Sequence, residues 1–117
     1  MTPAAPEPIW LVTPQKVDAV VRRLIEVGRP RQIILFGSYI RGEITLDSDL
    51  DVLVVTGDDV EDTRQESVRL RSAMRGILMP MDILAVRENV FHQLKDKIGL
   101  IYREAMQNGK VVYDAAA

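Results

Sequence analysis

Cysteine is absent from the 117 residues, which removes disulfides, zinc-thiolate sites and thiol nucleophiles from consideration. There is a single histidine, His92, so most histidine-based metal and triad chemistry goes with them. A thiol-free chain suits a reducing, cytoplasmic compartment. No apolar run approaches the roughly 18 residues that a membrane span needs, and the opening MTPAAPEPIW has no basic stretch followed by an apolar one. Neither secretion nor membrane insertion is expected. What remains is ordinary globular material: 47% hydrophobic and 27% charged residues, enough apolar side chain to bury a core.

The net charge of −2 is unevenly spread. From Glu43 to Asp62 there are eight acidic residues and no Lys or Arg, so this stretch carries −8 and the rest of the chain sums to +6. Such asymmetry marks either an acidic solvated surface or a cation site.

Residues 1–12 hold three prolines without helical period and read as an extended leader, followed by one domain over residues 13–117. Thr13-Pro14 is an N-cap and first-turn pair. Val17, Val20, Val21, Leu24 and Ile25 then follow at helical spacing, with Gly28 as a stop. Short β-rich apolar runs lie at 32–36, 50–56, 81–86 and 111–113. Between the second and third, a helix is expected from about Val60 to Leu78, with Leu70, Ala73, Met74, Ile77 and Leu78 on its apolar face and Pro80 closing it. A further helical stretch, Asn89 to Gln107, is expected to break near Gly99 and to stop at Asn108-Gly109. The fold class is α/β (α+β), a two-layer arrangement in which helices cover a small mixed sheet of about four strands.

Asp49 and Asp51 are two residues apart at the start of the second strand, so a period of two puts both carboxylates on one face, continued by Leu53 and Val55. A D-x-D is commonly a solvated strand end. Here Val52-Leu53-Val54-Val55 is apolar on both faces, which makes the strand interior and sets two repelling anions at its mouth. A hard divalent cation such as Mg²⁺, shared with substrate phosphates, relieves that repulsion. Asp82 sits in the otherwise apolar strand Met81-Asp82-Ile83-Leu84-Ala85-Val86, where Asp is disfavoured. Taken alone it reads as a strand-edge or cap residue; on a neighbouring strand it completes a three-carboxylate cluster able to hold two metals. Gly37-Ser38 follows the first strand as a turn whose glycine lets a ligand approach and whose serine can bind phosphate oxygens.

Ten residues separate Gly37-Ser38 from Asp49-Leu50-Asp51. This G-S-x10-D-x-D pattern resembles the nucleotidyltransferase superfamily that includes DNA polymerase beta. The segment FGSYIRGEITLDSDLDVLVV is similar to the minimal nucleotidyltransferase family, small proteins commonly found as antitoxins beside a HEPN-domain toxin, and REAMQNGKVVYD is similar to that family's usual C-terminus. Ile40 departs from the pattern, since relatives often carry Ala there. The resemblance implies a polymerase-beta-like fold. It implies Gly37 and Ser38 on the β- and γ-phosphates of a nucleoside triphosphate, and two Mg²⁺ ions held by Asp49, Asp51 and Asp82. Asp82 would also help to remove the acceptor proton. It implies transfer of a nucleoside monophosphate, AMP from ATP, to a hydroxyl of a HEPN toxin.

Arg41, four residues after Gly37, is placed to reach the triphosphate or to pair with Glu43 or Asp47. Asp47 and Ser48 read as turn and cap residues. Asp58, Asp59, Glu61 and Asp62 suit the start of the long helix. Arg64, Arg69, Arg71 and Arg75 read as a solvated face; with no aromatics among them, direct nucleic-acid binding is not expected. His92 reads as a surface or cap residue. The apolar positions of Leu94 to Tyr102 read as core, and Trp10 packs on the body or on a partner. Two other functions compete: an antitoxin that neutralises its partner by steric cover alone, and a small-molecule transferase whose second pocket a homo-oligomer would supply.

Overall fold

In the computed structural model, residues 8–43, 45–97 and 100–117 are described. Most of the leader, residues 1–7, and the expected break at Gly99 lie outside them. The first helix, α1 (Pro14–Gly28), begins as its capping residues dictate: Thr13 is extended and its hydroxyl accepts the Lys16 N–H at 3.3 Å. Its left-handed cap is Arg29 rather than Gly28, which is the last helical residue. Lys16 ties the preceding segment down, its ammonium donating to the carbonyls of Ile9 and Leu11 and, across the chain, of Leu78.

Four strands, β1 (Gln32–Phe36), β2 (Leu50–Thr56), β3 (Met81–Arg87) and β4 (Lys110–Asp114), form one sheet in the order β3-β2-β1-β4. β1 is antiparallel to β2 and to β4, whereas β2 and β3 are parallel. A parallel pair needs a crossover, and α3 (Thr63–Ser72) supplies it. The four-residue α2 (Ser38–Arg41) follows β1, and α4 (Glu88–Leu94) and α5 (Ile101–Asn108) precede β4.

Alternation along the strands builds two cores. Ile33, Leu35, Leu50, Val52, Val54, Ile83 and Ala85 face α1 and α3, packing on Val17, Val20, Leu24, Leu70 and Met74. Ile34, Phe36, Leu53, Val55 and Val86 face α4 and α5, packing on Phe91 and Ala105. Phe91 and Tyr102 join those two helices edge to face, with ring centroids 6.4 Å apart. Helices therefore clothe both faces of the mixed sheet, giving three layers where two were expected. With both faces covered, all residues of β2 except Asp51 are buried.

Three further expectations change. The crossover helix is shorter than 60–78 because Asp62 caps its start and the chain leaves the helix after Ser72. Gly76, at φ 92°, then turns the chain, so Leu70 and Met74 stay buried while Leu78 swings out to 58% exposure. Leu100 and Ile101 also stand outside the core, since Ala105 is the buried residue of α5. Among the described residues, no helix is long and apolar enough to cross a membrane.

β3 is an edge strand, and its outward N–H at Ala85 finds a partner in α3: the Ser67 hydroxyl accepts it at 2.8 Å while donating to the Thr63 carbonyl. Ser67→Ala leaves that buried N–H without a partner. We expect a loss of about 1–3 kcal/mol in denaturant unfolding, against little change for Val68→Ala at the exposed neighbouring position.

Candidate functional site

The antiparallel β1–β2 pair and the parallel β2–β3 pair bring the end of β1 and the starts of β2 and β3 to the same end of the sheet. There the register sets Phe36 opposite Asp51, and Asp51 opposite Asp82. Neighbouring strands lie about 4.8 Å apart, and paired side chains project from one face. Asp51, Leu53 and Val55 share that face with Asp82, Leu84 and Val86, the face covered by α4 and α5. Asp49 lies one residue before β2 and is exposed, as is Asp82, whereas Asp51 is half-buried.

Burial raises the Asp51 carboxyl above the ordinary aspartate range. Asp82 and then Asp49 raise it further by charge repulsion, Arg41 opposes them, and Glu104 adds a smaller upward push. The three aspartates expected to act together are thus electrostatic neighbours. They do not form a closed ligand set: among the described residues, no group of three or more His, Asp or Glu is gathered closely enough to hold a metal. The donor chemistry nonetheless fits a hard divalent cation, since every donor is a carboxylate oxygen and the crowding on Asp51 is the condition a cation relieves.

Gly37 sits at φ 81°, ψ −159°, a combination essentially reserved for glycine. A Cβ there would collide with Asp51 Oδ2 and come within 3.1 Å of its Cγ. The turn and the carboxylate are therefore packed against one another. Ser38 opens α2, where Arg41 N–H donates to the Gly37 carbonyl and Glu43 N–H to that of Ser38. The following loop is organised by Ser48, whose buried hydroxyl accepts the Thr45 N–H at 2.8 Å and donates to the Glu43 carbonyl. Ser48 is thus the turn residue expected. Asp62 caps α3, but Asp58 caps a different helix, accepting the Asn89 N–H in α4.

Arg41 is held on two sides. Its Nε donates to Glu43 at 3.1 Å and its Nη1 to Glu104 at 3.2 Å. The Glu43 pair is one of the two readings open for this arginine. Glu104 is new: it lies 63 residues away on α5, and no spacing pattern links such distant positions. His92 is exposed and remote from these groups, in a hollow with Arg31, Glu88 and Asp114 at the other end of β1.

The nucleotidyltransferase domain family matches residues 14–112, from the first turn of α1 into β4. This chain belongs to that family. A relative in Methanocaldococcus jannaschii, provisionally named protein adenylyltransferase MJ0604, is 53% identical over 34 residues, which cover 29% of this chain and 34% of that protein. The matched stretch thus spans about a third of the relative's length. A crystal structure of a nucleotidyltransferase from Sulfolobus solfataricus, also provisionally named, superposes with a TM-score of 0.60 at 14% identity, covering 87% of this chain and 80% of its own. That likeness concerns the fold, which is the polymerase-beta-like nucleotidyltransferase fold. A toxin–antitoxin complex, MntA-HpeT, gives a TM-score of 0.49 at 21% identity over 88% of this chain and 73% of its own.

Two outcomes follow for this nucleotidyltransferase. Gly37→Ala should lower the melting temperature and distort the turn, read as shifted amide resonances of Ser38 and Asp51; unchanged resonances would contradict the close packing. In metal-free buffer at neutral pH, Asp51→Asn should melt higher than the parent. The folded protein keeps the Asp51 proton to higher pH than the unfolded chain does, so stability falls as pH rises from the ordinary value of about 3.9 through the raised folded value. The difference between the two proteins should close on acidification below about pH 4.

Proposed function

We propose that this nucleotidyltransferase acts in the cytoplasm, transferring AMP from ATP to a hydroxyl of a partner protein, and that the partner is a HEPN-domain toxin silenced by the modification. The observation that carries the reading is the convergence of the Gly37-Ser38 turn with Asp51 and Asp82 across adjacent strands. A phosphate-binding turn beside a crowded carboxylate pair suits phosphoryl transfer, which needs positioning and charge neutralisation more than covalent help.

In this reading the Gly37 backbone gives the β- and γ-phosphates close approach, and the Ser38 hydroxyl donates to them. Arg41 turns its guanidinium to the triphosphate. Asp49, Asp51 and Asp82 would hold two Mg²⁺ ions, which neutralise the phosphates and acidify the acceptor hydroxyl. Asp82, exposed at the rim, takes the hydroxyl proton. The acceptor oxygen bonds to the α-phosphorus, the bond from that phosphorus to the bridging oxygen breaks in line, and pyrophosphate leaves. The provisional name of the Methanocaldococcus jannaschii relative supports AMP as the transferred group and a protein as the acceptor. The likeness of FGSYIRGEITLDSDLDVLVV to the minimal nucleotidyltransferases supports the toxin partner.

The test is to incubate the purified protein with ATP labelled on the α-phosphate, Mg²⁺ and the HEPN protein encoded beside it. We expect label on the partner, lost with EDTA and reduced at least a hundredfold in Asp51→Asn and Asp82→Asn, consistent with the usual weight of preorganised charge stabilisation of about 10²–10³. Folded partners that acquire no label would contradict the transfer. Protection of cells by an Asp49→Asn, Asp51→Asn double variant would favour steric neutralisation instead.

A further inference from the structure

The Arg41–Glu104 pair belongs to no step of that reaction, yet it bridges two elements that the fold holds separately. Arg41 closes α2, in the turn that follows β1; Glu104 lies in the first turn of α5, which covers the carboxylate-bearing face. Both oxygens of Glu104 are engaged, Oε1 by Arg41 at 3.2 Å and Oε2 by the Asn108 amide one turn later, also at 3.2 Å. The backbone beneath is anchored, because the adjacent Ala105 is buried against Ile34 and Phe36. The two hydrogen bonds thus hold Glu104 toward Arg41 from an anchored helix.

The charges around the turn sharpen the point. Glu43, Asp49, Asp51, Asp82 and Glu104 are anionic, while Arg41 acts on Asp51 in the opposite sense. With Glu43 on its Nε and Glu104 on its Nη1, the guanidinium has donors committed that a phosphate would otherwise take in fork geometry. Both partners are exposed, at 44% for the Arg41 side chain and 39% for that of Glu104. Exposed ion pairs of this kind contribute little and are readily exchanged, which suits a counter-ion that has to be surrendered.

We propose that Glu104 is a positioning residue that holds Arg41 in the nucleotide-free protein and competes with the triphosphate for its guanidinium, thereby setting the affinity for Mg-ATP. The inference rests on the reading of Arg41 as a triphosphate ligand and adds a residue on α5 that opposes it. Binding of Mg-ATP then exchanges one carboxylate for a phosphate oxygen on the same donors, and Glu104 keeps its hydrogen bond from Asn108.

Calorimetric titration of Mg-ATP, without acceptor, into the parent, Glu104→Gln, Arg41→Gln and the double variant separates the two claims. We expect Glu104→Gln to bind roughly two- to fivefold tighter, the range expected for releasing one exposed ion pair, with an unchanged melting temperature. Arg41→Gln should bind more weakly, and Glu104→Gln should confer no gain in that background. If Arg41→Gln binds like the parent, the reading of Arg41 itself fails, and the proposal with it. If Arg41→Gln weakens binding but Glu104→Gln leaves it unchanged or weaker, or if the gain persists without Arg41, the competition is overturned while the Arg41 reading stands.

Discussion

Two carboxylates are set side by side across a parallel strand pair, and the apolar core beneath fixes the strands that carry them. Asp51 and Asp82 are register partners on the same face of the sheet. A slip of one residue would turn Leu53, Val55, Leu84 and Val86 away from the helices that cover them, so the apolar pattern of both strands fixes the register. On its other side Asp51 meets the Gly37 turn, which has room for no side chain. Burial of the strand residues thus offsets a local electrostatic penalty at Asp51.

Much of the surrounding structure follows from that constraint. The turn after β1 has to pass close to Asp51, which requires glycine in a conformation other residues avoid. Arg41, at the end of the next helical turn, partly compensates Asp51 and is itself steadied by Glu43 and Glu104. The acidic stretch, continuous in sequence, divides in space. Its first part enters the carboxylate site and the loop ordered by Ser48, while Asp62 and Asp58 cap α3 and α4.

The local signals were legible because each is short-range. Thr13-Pro14 marked the start of α1, the β-rich runs marked four strands, and period two placed Asp51 with Leu53 and Val55 on one face. The G-S-x10-D-x-D spacing singled out Gly37 and Asp51, and those two pack against one another. The three-layer arrangement was not legible, because an apolar run buried on both faces does not say which helices cover it. The early end of α3 was missed because Ala73, Met74, Ile77 and Leu78 keep a helical period although the chain has already left the helix after Ser72 and turns at Gly76. Glu104 was invisible for a different reason: an ion pair across 63 residues leaves no pattern in either segment.

A crystal structure of the protein soaked with Mg²⁺ and a non-hydrolysable ATP analogue tests the central claim most directly. The account predicts metal ions bridging the phosphates to carboxylate oxygens of Asp49, Asp51 and Asp82, with the terminal phosphates against Gly37 and Ser38. A nucleotide bound elsewhere on the fold, or ions that leave Asp51 and Asp82 untouched, would contradict it.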